Sequence, residues 1–261
     1  MPDPVRVERR GPIVEVTLDR PPVNAIDAAT SRAIGNAFMA FRDDPNVLVA
    51  ILTAAGKVFS AGWDLKAAAL HGEDEGADYG PGGFAGLTRL FDLDKPVIAA
   101  VNGHAIAGGF ELTLAADLMV AAEHAEFWLP ETTVGVVPDA GGVQRLPRIL
   151  PRRIAMEMLL TGRRMSAAEA KHHGLVNAVV PADEVLPTAR KLAEAIVKGA
   201  PLCVRAITEV VRGTEDMSVE QAFRALDRRE FPIHAAAFKS EDRKEGPRAF
   251  VEKRAPVWKG R

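Results

Sequence analysis

The sequence predicts an α/β fold with a helical C-terminal region, and three observations carry that prediction. Short β-branched apolar runs alternate with amphipathic helical stretches through about residue 180. Two of those runs end in turns of small residues that lead straight into a helix, "VFSAGWDLK" (58–66) and "NGHAIAGGFELTL" (102–114). From about residue 151 onward the periodicity is almost wholly helical. A mixed core over residues 1–200 and a helical region over 201–261 follow as the expected organisation.

"VRVERR" and "IVEVTLD" alternate apolar and polar residues about Gly11-Pro12, the pattern of a hairpin. "RPPVNA" breaks it with two prolines, and Asp27 then stands where an N-cap would begin a helix over "AATSRAIGNAFMAFRDD". "VLVAILT" (47–53) and "KPVIAAVNG" (95–103) are buried strands, and a helix starts near Asp64. Residues 71–83, "HGEDEGADYGPGG", lack any apolar period and form a loop, mobile or ordered by a ligand or neighbour. "FAGLTRLFDLD" (84–94) is then expected to be helical. "LMVAAEHAEFWLPE" yields two short strands, "GVVPDAGGVQRLPRIL" a turn and a helix, and "LVNAVV" (175–180) a last strand. Ser166…Glu169 and Ser218…Gln221 have the spacing of capping boxes, in which each end's side chain bonds the other's backbone N–H. The last stretch, "SEDRKEGPRAFVEKRAPVWKGR", is a charged helix with a tail.

Composition limits the function. Lys+Arg number 33 against 35 Asp+Glu, a formal net charge of −2, so no electrostatic footprint for nucleic acid or an anionic membrane is expected. No window approaches the roughly 20 uninterrupted apolar residues of a membrane span. "MPDPVRVERR" lacks the apolar core of a signal peptide, which makes a reducing cytoplasm the expected location. Cys203 is the one cysteine, and within the apolar-periodic "APLCVRAITEVV" it is expected to be a packed thiol. No dinucleotide or P-loop motif is present. His172-His173 suit a helix C-terminus and find no third ligand at metal spacing, so no metal is expected, and His104 is a weaker candidate for lining a pocket.

The chemistry concentrates at the two strand-to-helix junctions. The first N–H groups of a helix have no partner within it, and the helix dipole favours negative charge there. Two such ends aimed at one point would offer two donors to one oxygen, the arrangement of an oxyanion hole, although a Gly-rich turn is also an ordinary cap. Glu111 follows the glycine pair in apolar company, and Glu131 follows "EFWLP". Paired carboxylates near such donors could hold and deprotonate a water while delivering a proton, and partial burial would raise both pKa values. Asp139 is a third acid, equally at home as a turn residue before Gly141-Gly142.

"FSAGWDLK", "PVIAAVNGHAIAGGFELTLAAD" and "FWLPETTVGVVPDAGGVQRLPR" together resemble the enoyl-CoA hydratase/isomerase, or crotonase, superfamily. The resemblance runs from "VTLDRPPVNAID" to "AFVEKR". It implies a spiral of ββα turns, a helical C-terminal trimerisation region, and a trimer or dimer of trimers. It implies an acyl-CoA substrate and no cofactor beyond its CoA. Trp63 and Gly108 would be the oxyanion donors, and Glu111 and Glu131 the two acids of the hydratase branch. Asp64, Leu65 and Lys66 match the stretch that lines the CoA adenine and phosphate, and Phe250 and Lys253 match a C-terminal CoA contact. Ala107 stands where glycine is common.

Further segments, among them "NAIDAATS", "YGPGGFAGLT" and "PVWKGR", resemble a branch whose acyl group carries a trimethylammonium. Such a cation is well held by aromatic faces. Trp63, Phe84, Trp128 and Asp139 are the expected acyl-pocket residues, with Tyr79 and Phe91 near a covering loop. Trp128 replaces a smaller residue of many members and would narrow the pocket. The implied reaction is reversible hydration of an α,β-unsaturated acyl-CoA. A general short-chain hydratase, a double-bond isomerase, and an idle scaffold or RNA-binding relative are the alternatives.

Overall fold

A computed structural model describes residues 3–71 and 77–261. Residues 72–76, near the start of the expected 71–83 loop, lie outside the described residues, and His71, expected in that loop, ends a helix. The strands are β1 (Val5–Arg10), β2 (Ile13–Leu18), β3 (Ala25–Ile26), β4 (Val49–Ala54), β5 (Val58–Ser60), β6 (Gly62–Trp63), β7 (Val97–Val101), β8 (His104–Ile106), β9 (Leu118–Ala122), β10 (Glu126–Trp128), β11 (Met165–Ser166) and β12 (Ala178–Val180). The helices are α1 (Ala28–Asp43), α2 (Leu65–His71), α3 (Gly108–Leu114), α4 (Gly142–Ile149), α5 (Arg152–Thr161), α6 (Ala167–His172), α7 (Val185–Val197), α8 (Pro201–Thr214), α9 (Val219–Asp227), α10 (Pro232–Lys239) and α11 (Asp242–Val251). The chain forms two compact units, residues 1–93 with 97–193, and residues 94–96 with 194–261.

The first unit is an α/β spiral. Six strands form a large sheet in the order β1-β2-β4-β7-β9-β12, and four form a small one in the order β11-β10-β8-β5. All neighbours in the large sheet are parallel except the β1–β2 hairpin. The path repeats itself: β4, β7 and β9 enter the large sheet, and the next strands, β5, β8 and β10, enter the small one. A helix follows each pair, α2, α3 and α4. Every residue of β4 and β7 is buried, as befits central parallel strands covered on both faces. Arg190 of α7 clamps Glu15 of β2 with two bonds of 2.7 Å, which holds that buried carboxyl below its usual range.

Local signals set several boundaries. Asp27 accepts the Thr30 N–H at 2.7 Å and starts α1. Ser218 and Gln221 form the complete reciprocal capping box of α9. Ser166 caps α6, but the Glu169 side chain turns instead to Arg163, at 2.7 Å, so only half of that expected box forms.

The expected helix over 84–94 is not there. The segment is a 3-10 turn at Phe84–Gly86 followed by further turns, with Leu87, Leu90 and Leu93 buried. Gly86 has φ +69°, and a Cβ on it would lie 2.2 Å from Gly35 N and 2.4 Å from Ser31 O of α1. Close backbone packing on α1, with Ala85 also at φ +54°, overrides the helical periodicity of the leucines.

The second unit is helical. The Glu209 carboxylate of α8 receives the N–H groups of Ile233 and His234 at the start of α10, at 3.1 and 2.9 Å. In the tail, the Asp242 carboxylate receives Lys259 and Gly260 N–H, and Arg254 pairs with Glu245. Cys203 is exposed rather than packed. It shares one face of α8, at spacing i, i+4, i+8, with exposed Ile207 and Val211, while Ala206 faces inward. Among the described residues no helix is long and apolar enough to cross a membrane.

The Gly86 packing gives a first expectation. Gly86→Ala should destabilise the protein by about 3 kcal/mol or more, from the combined left-handed strain and backbone overlap. Denaturant unfolding measures this, and a loss below 1 kcal/mol would mean that the α1 contact is slack.

Candidate active site

The site begins with a hydrogen-bonded turn before β6. Asn24 donates its amide to the carbonyls of Ala55 and Val58, both at 2.8 Å, and receives the Arg20 N–H at 2.9 Å. The Ser60 hydroxyl donates to Asn24 O at 2.7 Å and accepts the Gly62 N–H at 3.0 Å. This fixes Gly62–Trp63, which pairs with β3. Asp64 caps α2 by accepting the Lys66 and Ala67 N–H groups, and Arg20 holds it at 2.7 Å.

The second turn meets the first at backbone distance. A Cβ on Gly62 would lie 2.7 Å from Gly108 N and 2.8 Å from Ile106 O. A Cβ on Gly109 would strike Ser60 O at 2.5 Å, and one on Gly108 would enter the Phe84 ring at 2.3 Å. Each glycine of the pair is therefore required by a different neighbour. Gly108 opens α3, so its amide has no acceptor within the helix. Ala107, at the N-cap, has φ +53° and ψ −129°, a region that favours glycine and costs an L-residue about 1–3 kcal/mol. The departure from the commoner glycine thus falls at a strained position.

The two glutamates are buried beside this junction, 4% and 6% exposed for Glu111 and Glu131. Glu111, in the first turn of α3, accepts the Gly142 N–H on Oε1 at 2.8 Å, and the Ala140 N–H also bonds its carboxyl. Gly142 is bare for that reason among others, since a Cβ there would sit 3.2 Å from Oε1 and 2.9 Å from Pro138 Cβ. Burial pushes Glu111 up to about 7, the Gly142 amide pulls it down, and the charges of Glu131 and Asp139 raise it further. Glu131 opens a 3-10 turn after Pro130, and burial pushes it up to about 7 as well. Its Oε2 is buried without a hydrogen-bond partner among the described residues. The indole N–H of Trp63 is in the same condition.

The remaining expected residues are more scattered. Phe84 lies against Gly108, and Tyr79 packs edge-on to it with ring centres 5.5 Å apart. Asp139 is exposed, on the loop that supplies the amides to Glu111. Trp128 points away from its core neighbour Phe127 along β10. Its ring lies under the Arg164 guanidinium at 4.4 Å and meets the edge of His104 at 5.7 Å. Leu65 and Lys66 are exposed at the start of α2. Phe91 is 78% exposed. Phe250 and Lys253, exposed, belong to the second unit. Among the described residues no three His, Cys, Asp or Glu side chains form a metal-ligand set. Sequence reasoning missed Asn24, Ser60 and Gly142. The Gly141-Gly142 pair before a helix was the available signal for the last, and nothing local marked the other two.

The electrostatics give a pH expectation. A carboxyl raised from 4.5 to about 7 keeps its proton in the folded state after the unfolded chain has lost it. Unfolding free energy therefore falls as pH rises through that window. Glu111→Gln lacks this loss, so its stability advantage over the parent should grow from pH 4.5 to 7, to on the order of 3 kcal/mol. Parallel stability curves for the two proteins would contradict it.

The family model for enoyl-CoA hydratase/isomerase matches residues 8–261. A carnitinyl-CoA dehydratase from Salmonella arizonae is 59% identical over 261 residues, covering 100% of both chains. The structure of an enoyl-CoA hydratase from Mycobacterium tuberculosis H37Rv is similar with a TM-score of 0.91 at 41% identity, covering 99% of this chain and 100% of that one. A carnitinyl-CoA hydratase from Mycobacterium avium is similar with a TM-score of 0.77 at 45% identity, with 100% of each chain covered. Likeness in sequence and in fold extends over the whole length, and the chain belongs to the enoyl-CoA hydratase/isomerase family.

Proposed function

We propose that the protein is a hydro-lyase that adds water reversibly across an α,β-unsaturated acyl-CoA, and that its preferred pair is crotonobetainyl-CoA and carnitinyl-CoA. The carrying observation is the pair of buried glutamates, each raised to about 7, beside two backbone turns in contact. A carboxyl with a pKa near neutrality can both give and take a proton at working pH. The full-length likeness to a carnitinyl-CoA dehydratase supports the acyl group.

In this reading the amides of Trp63 and Gly108 hold the thioester oxygen, where negative charge grows as the enolate forms. Glu111, fixed by the Gly142 and Ala140 amides, takes a proton from the water that attacks Cβ. Glu131, with its unpartnered Oε2, delivers a proton to Cα. Dehydration runs the same steps in reverse. The double bond becomes a C–H and a C–OH on the same face, and no electrons are exchanged with any other molecule. Leu65 and Lys66 would meet the adenine and phosphates, with Asp64 shaping the start of α2. Phe250 and Lys253 are proposed as a C-terminal CoA contact. A general enoyl-CoA hydratase is the second reading, favoured by the 0.91 TM-score to the mycobacterial enzyme so named.

We also propose a homo-oligomer, a trimer or dimer of trimers. Ile207, Val211, Val219 and Phe223 are each more than 60% exposed on α8 and α9, more large apolar side chains than a lone helical surface usually shows. Light scattering should give three or six times the 28.0 kDa chain mass, and a monomer at micromolar concentration would end this part of the proposal.

Turnover on crotonobetainyl-CoA beside crotonyl-CoA tests the reaction and the substrate together. The cationic thioester should have the higher kcat/KM. Glu111→Gln and Glu131→Gln should each lose at least about 10²-fold in kcat, the contribution of one general acid or base. Near-parent turnover in either variant would remove the paired-acid mechanism.

A further inference from the structure

One carboxylate beside the acid pair has no task in the reaction just described. Asp139 sits on a turn held at several points. Its N–H donates to Val137 O at 2.8 Å, its carbonyl accepts Gln144 Nε2 at 3.1 Å, and Val143 N–H donates to Pro138 O at 3.0 Å. The amides of Ala140 and Gly142, on its C-terminal side, go to Glu111. The Asp139 side chain thus leaves a fixed stretch of backbone at the margin of the catalytic carboxyl. Its own carboxylate makes no hydrogen bond or ion pair among the described residues. Arg145, the cation that packs against Gly141, gives its guanidinium to Thr88 O at 2.7 Å.

An exposed anion in that place adds to the rise of Glu111, because a like charge disfavours ionisation of that carboxyl. Among the described residues no cation forms an ion pair with it. A substrate can. In 4-trimethylammoniocrotonyl thioesters the cation is on Cγ, one carbon beyond the Cβ that water attacks. A group that reads this charge must therefore stand next to the carboxyl that handles the water, and Asp139 lies three residues before Gly142, whose amide meets that carboxyl at 2.8 Å. A quaternary ammonium donates no hydrogen bond, so its partner needs a charge at close range rather than an aligned acceptor. The aromatic alternative is weakened at one member, since the Trp128 face is already covered by Arg164.

We infer that Asp139 is a specificity-determining residue, whose carboxylate faces the quaternary ammonium of the acyl group and selects cationic over neutral acyl-CoA thioesters. This rests on the acyl-CoA reading of the site given above. The Phe84–Tyr79 pair supplies the apolar wall on the Gly108 side, and Asp139 supplies the charge.

The test compares crotonobetainyl-CoA with its uncharged carbon isostere, 5,5-dimethylhex-2-enoyl-CoA, on the intact parent protein, Asp139→Asn and Asp139→Glu. The ratio of kcat/KM for the two thioesters is the readout, because it does not depend on the fraction of active protein. The parent should favour the cationic thioester. Asp139→Asn should lower that ratio about tenfold, chiefly through KM for the cationic thioester, and Asp139→Glu should restore part of it. A ratio unchanged in Asp139→Asn, including equal losses on both thioesters, overturns the assignment while leaving the substrate reading in place. A parent that turns over both thioesters with no preference overturns the substrate reading and this assignment together. Turnover of neither would count against the reaction itself.

Discussion

Everything at this site depends on the contact between two backbone turns. Gly62 approaches Gly108 so closely that a single added methyl on Gly62 would lie inside the van der Waals distance of the Gly108 nitrogen. Main-chain amides can stand together only if no side chain intervenes, which is why the residues there are Gly62, Gly108 and Gly109. The fold makes the approach possible. Successive turns of the spiral deposit β5 and β8 side by side in the small sheet, parallel to one another, so the helix starts that follow them emerge on the same side. The Asn24–Ser60 hydrogen bonds then keep the first turn from relaxing away.

Placing two carboxyls in that environment opposes stability. Each is more than nine-tenths buried, and each is driven to hold a proton near neutral pH. The protein moderates the cost for Glu111 with the Gly142 and Ala140 amides and leaves Oε2 of Glu131 unpartnered. The Ala107 conformation adds strain one residue before the Gly108 amide. Buried acid, bare backbone and strained backbone occur within a few residues of each other. Apolar burial elsewhere, as in the fully buried strands β4 and β7, is the kind of stabilisation that offsets such costs.

The same geometry separates residues that look alike in sequence. Trp128 and Phe84 are both aromatic and both lie near motif segments, yet one is covered by the protein's own cation and the other walls the Gly108 turn. Period-two alternation along β10 decides this: Phe127 faces the core against Phe110, so Trp128 must face the opposite side of the small sheet. Asp64 and Asp139 are both acids beside turns, yet Asp64 is consumed by its cap and by Arg20, while Asp139 keeps its charge unmatched.

Several features were determined by the sequence alone, because they depend on residues a few positions apart. The β1–β2 hairpin, the Asp27 cap of α1, the Ser218–Gln221 box and the Asp64 start of α2 all rest on local hydrogen bonds and local periodicity. The alternation that gives an α/β core was legible for the same reason, as were the candidate acids Glu111 and Glu131 and the glycine pair. Tertiary structure decided whatever depended on distant neighbours. The amide that meets Glu111 comes from Gly142, which no local pattern links to it. The leucines of 84–94 have helical spacing but yield to the packing of Gly86 on α1, Glu169 leaves its capping box for Arg163, and Cys203 falls on the outer face of α8. The Gly142 and Gly86 contacts lie across the fold, where short-range spacing carries no information about which surfaces will meet, while Arg163, six residues from Glu169, wins by its charge.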